Sequence, residues 1–346
     1  VSRVRSIGKR KRAGLFRMPI ERTFAKPGFG SVVTGIPVDG AVQVGDEVEI
    51  VPGGQRGRVR GIQRFLRDAA QGGFGQCLAL NIPLLKTPPE RGQVVCAPST
   101  LTPSRTFHVE LKAVAGLSKA IQHAEAVRFH SGTIDIGAKV FLLEGKTLGG
   151  GESMLASVIL SEPVAAAAHD RFILRRPSPA TTIGGGEILA TSDVEARQRK
   201  QDIVDRLRSY REALAGVDPA SVEGLSRRAE WWLRIEKNGG AEKKAGAEEK
   251  SGATFKELAA WLMTSPEMAG QALRPLLESG AVVALGGEGQ VRGGAGLTES
   301  TPLTGLTPLT RLTGSDRSVG SDGSGGSSPP THSGEPVAGK AEPAAN

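Results

Sequence analysis

Between positions 14 and 102 apolar residues recur at every second place in short runs that glycine and proline interrupt. That is the pattern of strands with one buried face, folded as a small barrel. Ser31 to Thr34 predicts a strand after a turn at Gly28 and Gly30, and Glu47 to Val51 predicts another after the break at Gly45-Asp46. In Cys77 to Ile82, Leu78, Leu80 and Ile82 share the apolar face, so Cys77, Ala79 and Asn81 point the other way. By the same parity Arg58 and Arg60 stand on one face. A second β-rich block spans 103–191, with strands at Phe107–Leu111, Ala138–Leu143 and Phe172–Arg175, closing on Thr181 to Leu189 with its triple glycine.

Beyond 191 the period changes. Asp193 is placed to cap a helix running to Leu214 with Ile203, Val204 and Leu207 on its apolar side, within a helical segment 192–237. Residues 238–253 are Gly, Lys and Glu without apolar periodicity and predict a flexible linker. From 254 to 293 the chain regains order. Thr254 and Glu257 form a capping box, Leu258, Trp261 and Leu262 one stripe, Ala272, Leu273, Leu276 and Leu277 another, and Val282–Leu285 with Gln290-Val291 a short hairpin. Helix, helix, hairpin is a winged-helix-like pattern; a small helical module of structural use is the other reading. The segment 294–346 is Ser, Gly, Thr and Pro and predicts a disordered tail, and 1–13 is a basic leader with six Lys/Arg and no acid. The fold class is mainly β: two barrels, then a small α+β module.

The net charge of +8 over 346 residues allows an anionic partner, with nucleic acid leading. Two cysteines, Cys77 and Cys96, are too few for a disulfide framework and suit a reducing cytoplasm. No apolar run reaches the roughly 18–20 residues of a membrane span, and the basic N-terminus lacks the apolar core of a secretory signal. The histidines and cysteines show no metal-ligand spacing, and no side-chain set marks a catalytic centre. Gly145-Lys146-Thr147 is a near miss to a phosphate-cradling loop, but Val140 stands where its first glycine is needed, and no Asn-Lys-x-Asp motif occurs. The chain by itself is therefore expected neither to bind nor to hydrolyse GTP, and to carry no cofactor.

The run Phe16 to Phe24 followed by Lys26-Pro27-Gly28-Phe29-Gly30-Ser31-Val32-Val33-Thr34-Gly35 resembles the opening of the second domain of a translational GTPase. Within that superfamily it is most similar to the selenocysteine-specific elongation factors, on the pair Glu21-Arg22. Arg171 to Arg175 and the triple glycine resemble the third domain of the same factors. The resemblance implies two elongation-factor-type barrels without the GTP-binding domain. It implies binding of selenocysteinyl-tRNA for delivery to the ribosome at UGA codons, with GTP and Mg needed in the full-length factor. C-terminal winged helices of the family bind an mRNA hairpin, and a reduced module here leaves that partner open. Val1 in place of Met leaves two readings, an alternative start or a missing upstream portion. A GTP-independent RNA-binding barrel protein and a gene remnant are the alternatives from other classes.

The resemblance also implies a pocket for the aminoacyl end. A selenol is largely an anion near neutral pH where a serine hydroxyl is neutral, so fixed positive charge selects it through charge-assisted contacts. Glu21 falls on the family's acidic position, Arg22 on its first arginine, and Cys77 on the place of a second arginine. An ordinary surface ion pair is the other reading of Glu21-Arg22, and a small half-buried packing residue that of Cys77. Arg58, Arg60 and Arg64 on the first barrel and Arg171, Arg175 and Arg176 on the second are candidates for tRNA phosphate contacts; solvated surface arginines are the alternative.

Overall fold

The computed structural model describes residues 14–26, 30–83, 87–192, 199–237, 253–285 and 290–293. The leader, Gly28, Asp193, most of the linker and the tail lie outside the described residues.

The first β-domain is built from β1 (Arg17–Lys26), β2 (Gly30–Gly35), β3 (Ala41–Gln43), β4 (Glu47–Val51), β5 (Gln55–Arg58), β6 (Gly61–Arg64), β7 (Arg67–Ala69), β8 (Gln71–Gly73), β9 (Leu78–Ile82) and β10 (Val94–Cys96). Eight of these form one sheet in the order β5-β4-β10-β1-β2-β9-β6-β7, and β3 pairs with β8. The sheet curls round Met18, Ile20, Val33, Ile50, Leu80 and Ile82, all at most 1% exposed. It does not close by a strand ladder. Val44 N donates to Ala70 O (2.9 Å), continuing the β3–β8 pair, and Gly45 N to Val59 O (2.8 Å), continuing the β4–β5 pair.

The second β-domain is a closed barrel of β11 (Ser104–Ala113), β13 (Glu125–Ser131), β14 (Ile134–Leu142), β16 (Ser153–Val164), β17 (Arg171–Arg176) and β18 (Thr181–Ser192), in the order β11-β16-β14-β13-β17-β18. The short strands β12 (Ile121–Gln122) and β15 (Thr147–Leu148) pair outside it. Phe107, Phe129 and Phe172 stack through its core with centroids 5.7 and 5.6 Å apart. The triple glycine has a steric cause. Strand β18 is pressed between β11 and β17, and a Cβ on Gly186 would strike the Glu110 carbonyl while one on Gly185 would meet the Phe172 carbonyl. Gly145 and Lys146 lie in the turn between β14 and β15 and Thr147 opens β15, so the segment is no phosphate loop between a strand and a helix.

Helix α1 (Lys200–Ala213) has Arg199 at its extended cap position, without a side-chain cap bond, and the expected cap Asp193 lies outside the described residues. Then come α2 (Val222–Trp231), capped by Ser221 and running into a π-turn, β19 (Ala253–Thr254), α3 (Phe255–Leu262), α4 (Pro266–Glu278), β20 (Val282–Leu285) and β21 (Gln290–Gly293). The capping box is present, with Thr254 N donating to Glu257 Oε2 (2.8 Å) and Glu257 N to Thr254 Oγ1 (3.2 Å). Helix α2 falls within the predicted helical segment 192–237, and β19 is a strand that the winged-helix-like pattern does not predict. One apolar core joins α1 through α4 to Leu143, Leu155 and Leu189 of the closed barrel. The module also reaches the start of the first domain, where Leu15 N donates to Met263 O (3.3 Å).

The two β-domains are joined by a buried ion pair. The Arg17 guanidinium donates to both carboxylate oxygens of Asp170, at 2.8 and 3.0 Å. Burial alone would lower the Arg17 pKa, but the charge and hydrogen bonds of Asp170 win and raise it. Val51, Val94, Cys96 and Ala165 add a small apolar contact beside this pair.

Candidate functional site

The apolar parity of β1 runs Phe16, Met18, Ile20 toward the core, and in a regular strand Arg22 would follow them inward. It does not, because a β-bulge interrupts the ladder. Ile20 opposes Gly35 and Arg22 opposes Thr34, so three residues of β1 face two of β2 and Glu21 is the extra one. The bulge resets the parity: Glu21 and Arg22 are both exposed, and Thr23 turns toward the core opposite buried Val33. The Arg22 carbonyl accepts from Thr34 Oγ1 (3.4 Å) and steadies the irregular step.

Beyond the bulge the register carries one outer face across four strands. Arg22 opposes Thr34, Thr34 opposes Ala79, and Ala79 opposes Gln63. Cys77, two residues before Ala79, lies on the same side and is exposed, as its parity predicts. The structure thus brings Arg22 and Cys77 onto one face, two strands apart. Glu21 and Arg22 are not partners of each other. Arg91 donates to Glu21 Oε1 at 2.7 Å, with both side chains about half exposed, so the acid is neutralised from the β10 side. Among the described residues no group accepts from the Arg22 guanidinium, which leaves one uncompensated positive charge at the bulge. Arg91 is the residue that sequence reasoning missed. No local signal marks it, since it lies 70 positions from Glu21.

The six phosphate candidates do not form one patch. Arg58 is exposed and donates to Gly45 O (3.1 Å), and Arg60 is exposed with its backbone N on Asn81 O (2.8 Å). Arg64 ends β6 opposite Arg67. On β17 the arginines are tied to their own barrel. Arg171 pairs with Glu187 (3.2 Å), Arg175 donates to Ala180 O (3.3 Å), and Arg176 is enclosed by Glu125 (2.6 Å) and the Lys119 and Ala120 carbonyls. Arg171 lies beside a cleft of about 410 Å³ between the β-domains, which Phe74, Ser131 and His169 also line. His169 is held between Glu187 and the Tyr210 hydroxyl (2.8 Å). Burial lowers its pKa against the opposing pull of Glu187. A carboxylate only accepts, so Nδ1–H donates to Glu187 and Nε2 receives the Tyr210 proton. Among the described residues no cluster of His, Cys, Asp and Glu could hold a metal ion, and no helix is long and apolar enough to cross a membrane.

A curled β-domain with an outward, uncompensated arginine on a bulged strand is bolted to a closed barrel. The comparisons with known proteins say which family these domains resemble. Residues 106–194, the closed barrel, match the family model described as "Selenocysteine-specific elongation factor, beta-barrel domain". The chain is 36% identical over 194 residues to a selenocysteine-specific elongation factor of Desulfomicrobium baculatum, covering 56% of this chain and 31% of that protein. It is 32% identical over 188 residues to the factor of the same name from Haemophilus influenzae, covering 54% and 30% respectively. The chain spans about three tenths of the length of these curated relatives. Both matches are longer than the closed barrel, and the resemblance to selenocysteine-specific elongation factors drawn from the sequence is borne out.

Proposed function

We propose that this chain is the tRNA-holding part of a selenocysteine-specific elongation factor. It binds selenocysteinyl-tRNA for delivery to the ribosome at UGA codons, and GTP dependence belongs to a full-length factor. The observation that carries this reading is the bulge at Glu21, which turns Arg22 out of the core and leaves its charge uncompensated while Arg91 neutralises Glu21. An anionic selenolate is stabilised there by a charge-assisted contact that a neutral serine hydroxyl makes far more weakly. Cys77 in the place of a second arginine leaves one cation instead of two, so the preference is weaker than a two-arginine pocket would give. Arg58, Arg60 and Arg64 are the candidates for phosphates of the bound tRNA, since no acid occupies them among the described residues.

The test is equilibrium binding of selenocysteinyl-tRNA and seryl-tRNA to the wild-type chain and to Arg22→Ala. Losing a charged hydrogen bond costs about 1.5–3 kcal/mol, so the preference should fall by roughly ten- to a hundredfold. A preference that survives Arg22→Ala removes Arg22 from the pocket. Tight wild-type binding with no preference supports the GTP-independent RNA-binding reading instead.

A further inference from the structure

The turn joining β6 to β7 breaks the local rules of a two-residue hairpin. Phe65 and Leu66 both have positive φ, +49° and +65°, the conformation of a primed turn in which Asn-Gly is favoured because side chains are strained there. Neither residue is glycine or asparagine, and both are large and apolar. They are also in solvent, Phe65 61% and Leu66 92% exposed, so no burial offsets the strain. The pair that flanks them is unfavourable too. Arg64 and Arg67 stand directly opposite across the ladder, where like charges repel, and no described acid neutralises either. The nearest acid in the hairpin, Asp68, accepts from Gln63 Nε2 (3.1 Å). The tip is nonetheless held firmly in place, with Phe65 N donating to Cys77 O (3.1 Å).

Strain, exposed apolar surface and like-charge repulsion coincide in four residues, and the last two are relieved by the same kind of partner. An anionic polymer neutralises Arg64 and Arg67, and a flat unsaturated group covers Phe65. We infer that the Arg64–Arg67 hairpin tip is an RNA contact in which an unpaired base stacks on Phe65, Leu66 packs on its edge, and the flanking phosphates lie on Arg64 and Arg67. Base–aromatic stacking combined with backbone neutralisation is the general chemistry of single-stranded nucleic-acid binding. An RNA fits better than an anionic membrane, because one rigid ring and one leucine supply a stacking surface and little insertable area. The inference rests on the RNA-binding half of the proposed function and does not need selenocysteine discrimination at Arg22.

The test replaces the tip by a turn that should fold better. Phe65→Asn with Leu66→Gly installs the favoured primed-turn residues, and the full chain is compared with wild type by thermal melting and by anisotropy. The probes are a short labelled single-stranded RNA, inorganic polyphosphate, and phosphatidylserine vesicles. The double variant should melt no lower than wild type, lose RNA affinity about tenfold, and keep its affinity for polyphosphate, which has no bases. Arg64→Gln with Arg67→Gln should weaken both polymers and reduce the RNA salt slope by about 1.4, two single-strand phosphates. Unchanged RNA affinity in the Asn-Gly variant overturns the inference. So does an equal loss for polyphosphate, which leaves no role for stacking, and so does a loss confined to vesicles, which assigns the tip to a membrane. If Arg22→Ala spares the amino-acid preference while the tip variants behave as stated, the pocket reading fails alone; the reverse pattern fails this inference alone.

Discussion

The two β-domains treat their arginines differently. In the closed barrel Arg128, Arg171 and Arg176 each pair with an acid of the same barrel, and Arg105 and Arg175 each donate to one of its carbonyls. In the curled first domain Arg22, Arg60, Arg64 and Arg67 have no such partner among the described residues, and three of them stand at or beside places where the backbone departs from regularity. A cation bound to its own barrel stiffens it; one left free is available to a ligand. The difference teaches that the second domain commits its arginines to its own frame while the first leaves several unpaired among the described residues, although the two carry the same kind of charge.

The comparison has exceptions, since Arg56 and Arg91 pair with Glu49 and Glu21 of their own domain, and breaking the one at Arg17 should give the largest effect. Arg17 belongs to the first domain but is 4% exposed and committed to Asp170 of the second. Its Nε is buried without a partner, so the bidentate bond to Asp170 is what offsets its burial. Arg17→Ala leaves the carboxylate uncompensated and should cost about 3–5 kcal/mol in a urea titration. A loss below about 1 kcal/mol would show that water reaches Asp170 and that the two domains are joined mainly by the small apolar contact at Val94 and Ala165.

Acid should separate the domains next. His108 of β11 is buried in the closed barrel against Ser157 Oγ (2.9 Å), and burial, aided by the charge of Arg206, lowers its pKa to about 4. The unfolded chain takes up that proton near pH 6.5, well before the native state does. Stability is therefore full above about 6.5 and falls as the pH drops toward 4, by roughly 3 kcal/mol at most. His169, also lowered by burial, adds to the loss in the same direction. Among the buried titratable groups of the first domain, Cys96 is instead pushed up to about 11 and stays neutral throughout this window. Urea midpoints between pH 4 and 7 should show the slope, and His108→Gln, which keeps a hydrogen bond to Ser157, should flatten it. A slope unchanged by that substitution would place the acid sensitivity elsewhere.

What could be read from the chain beforehand was whatever depends on one strand or helix at a time. Parity placed Cys77 outward and Leu78, Leu80 and Ile82 inward, and the Thr254–Glu257 box marked a helix start. Barrel order followed from resemblance over the matched regions. What was illegible depends on a second strand. The bulge at Glu21 exists only as a register against β2, and the Glu21–Arg91 pair spans 70 positions. Arg176 reads as a free surface cation until β13 supplies Glu125, 51 positions away. The Phe65-Leu66 turn carries no turn residues, so pattern reasoning passes over it; its departure from the rule is what marks it. Helix α2 falls inside the helical segment read at 192–237, but its bounds were illegible because its buried Arg228, stacked over Trp261 at 5.5 Å, interrupts the apolar stripe.

The smallest expected effect is the sharpest test of the division between paired and unpaired arginines. Arg171 is the most exposed of the closed barrel's paired arginines, its side chain 79% exposed and its acid shared with His169. A salt bridge this open contributes about 0–1 kcal/mol, so Arg171→Ala should leave the melting curve nearly unchanged. If Glu187 has claimed its charge, the salt dependence of tRNA binding should not move either, in contrast to Arg64→Gln in the first domain. A slope reduced by about 0.7–0.9 would mean that Arg171 leaves Glu187 for a phosphate on binding. The free arginines of the first domain would then be one end of a longer RNA track that crosses the cleft between the domains.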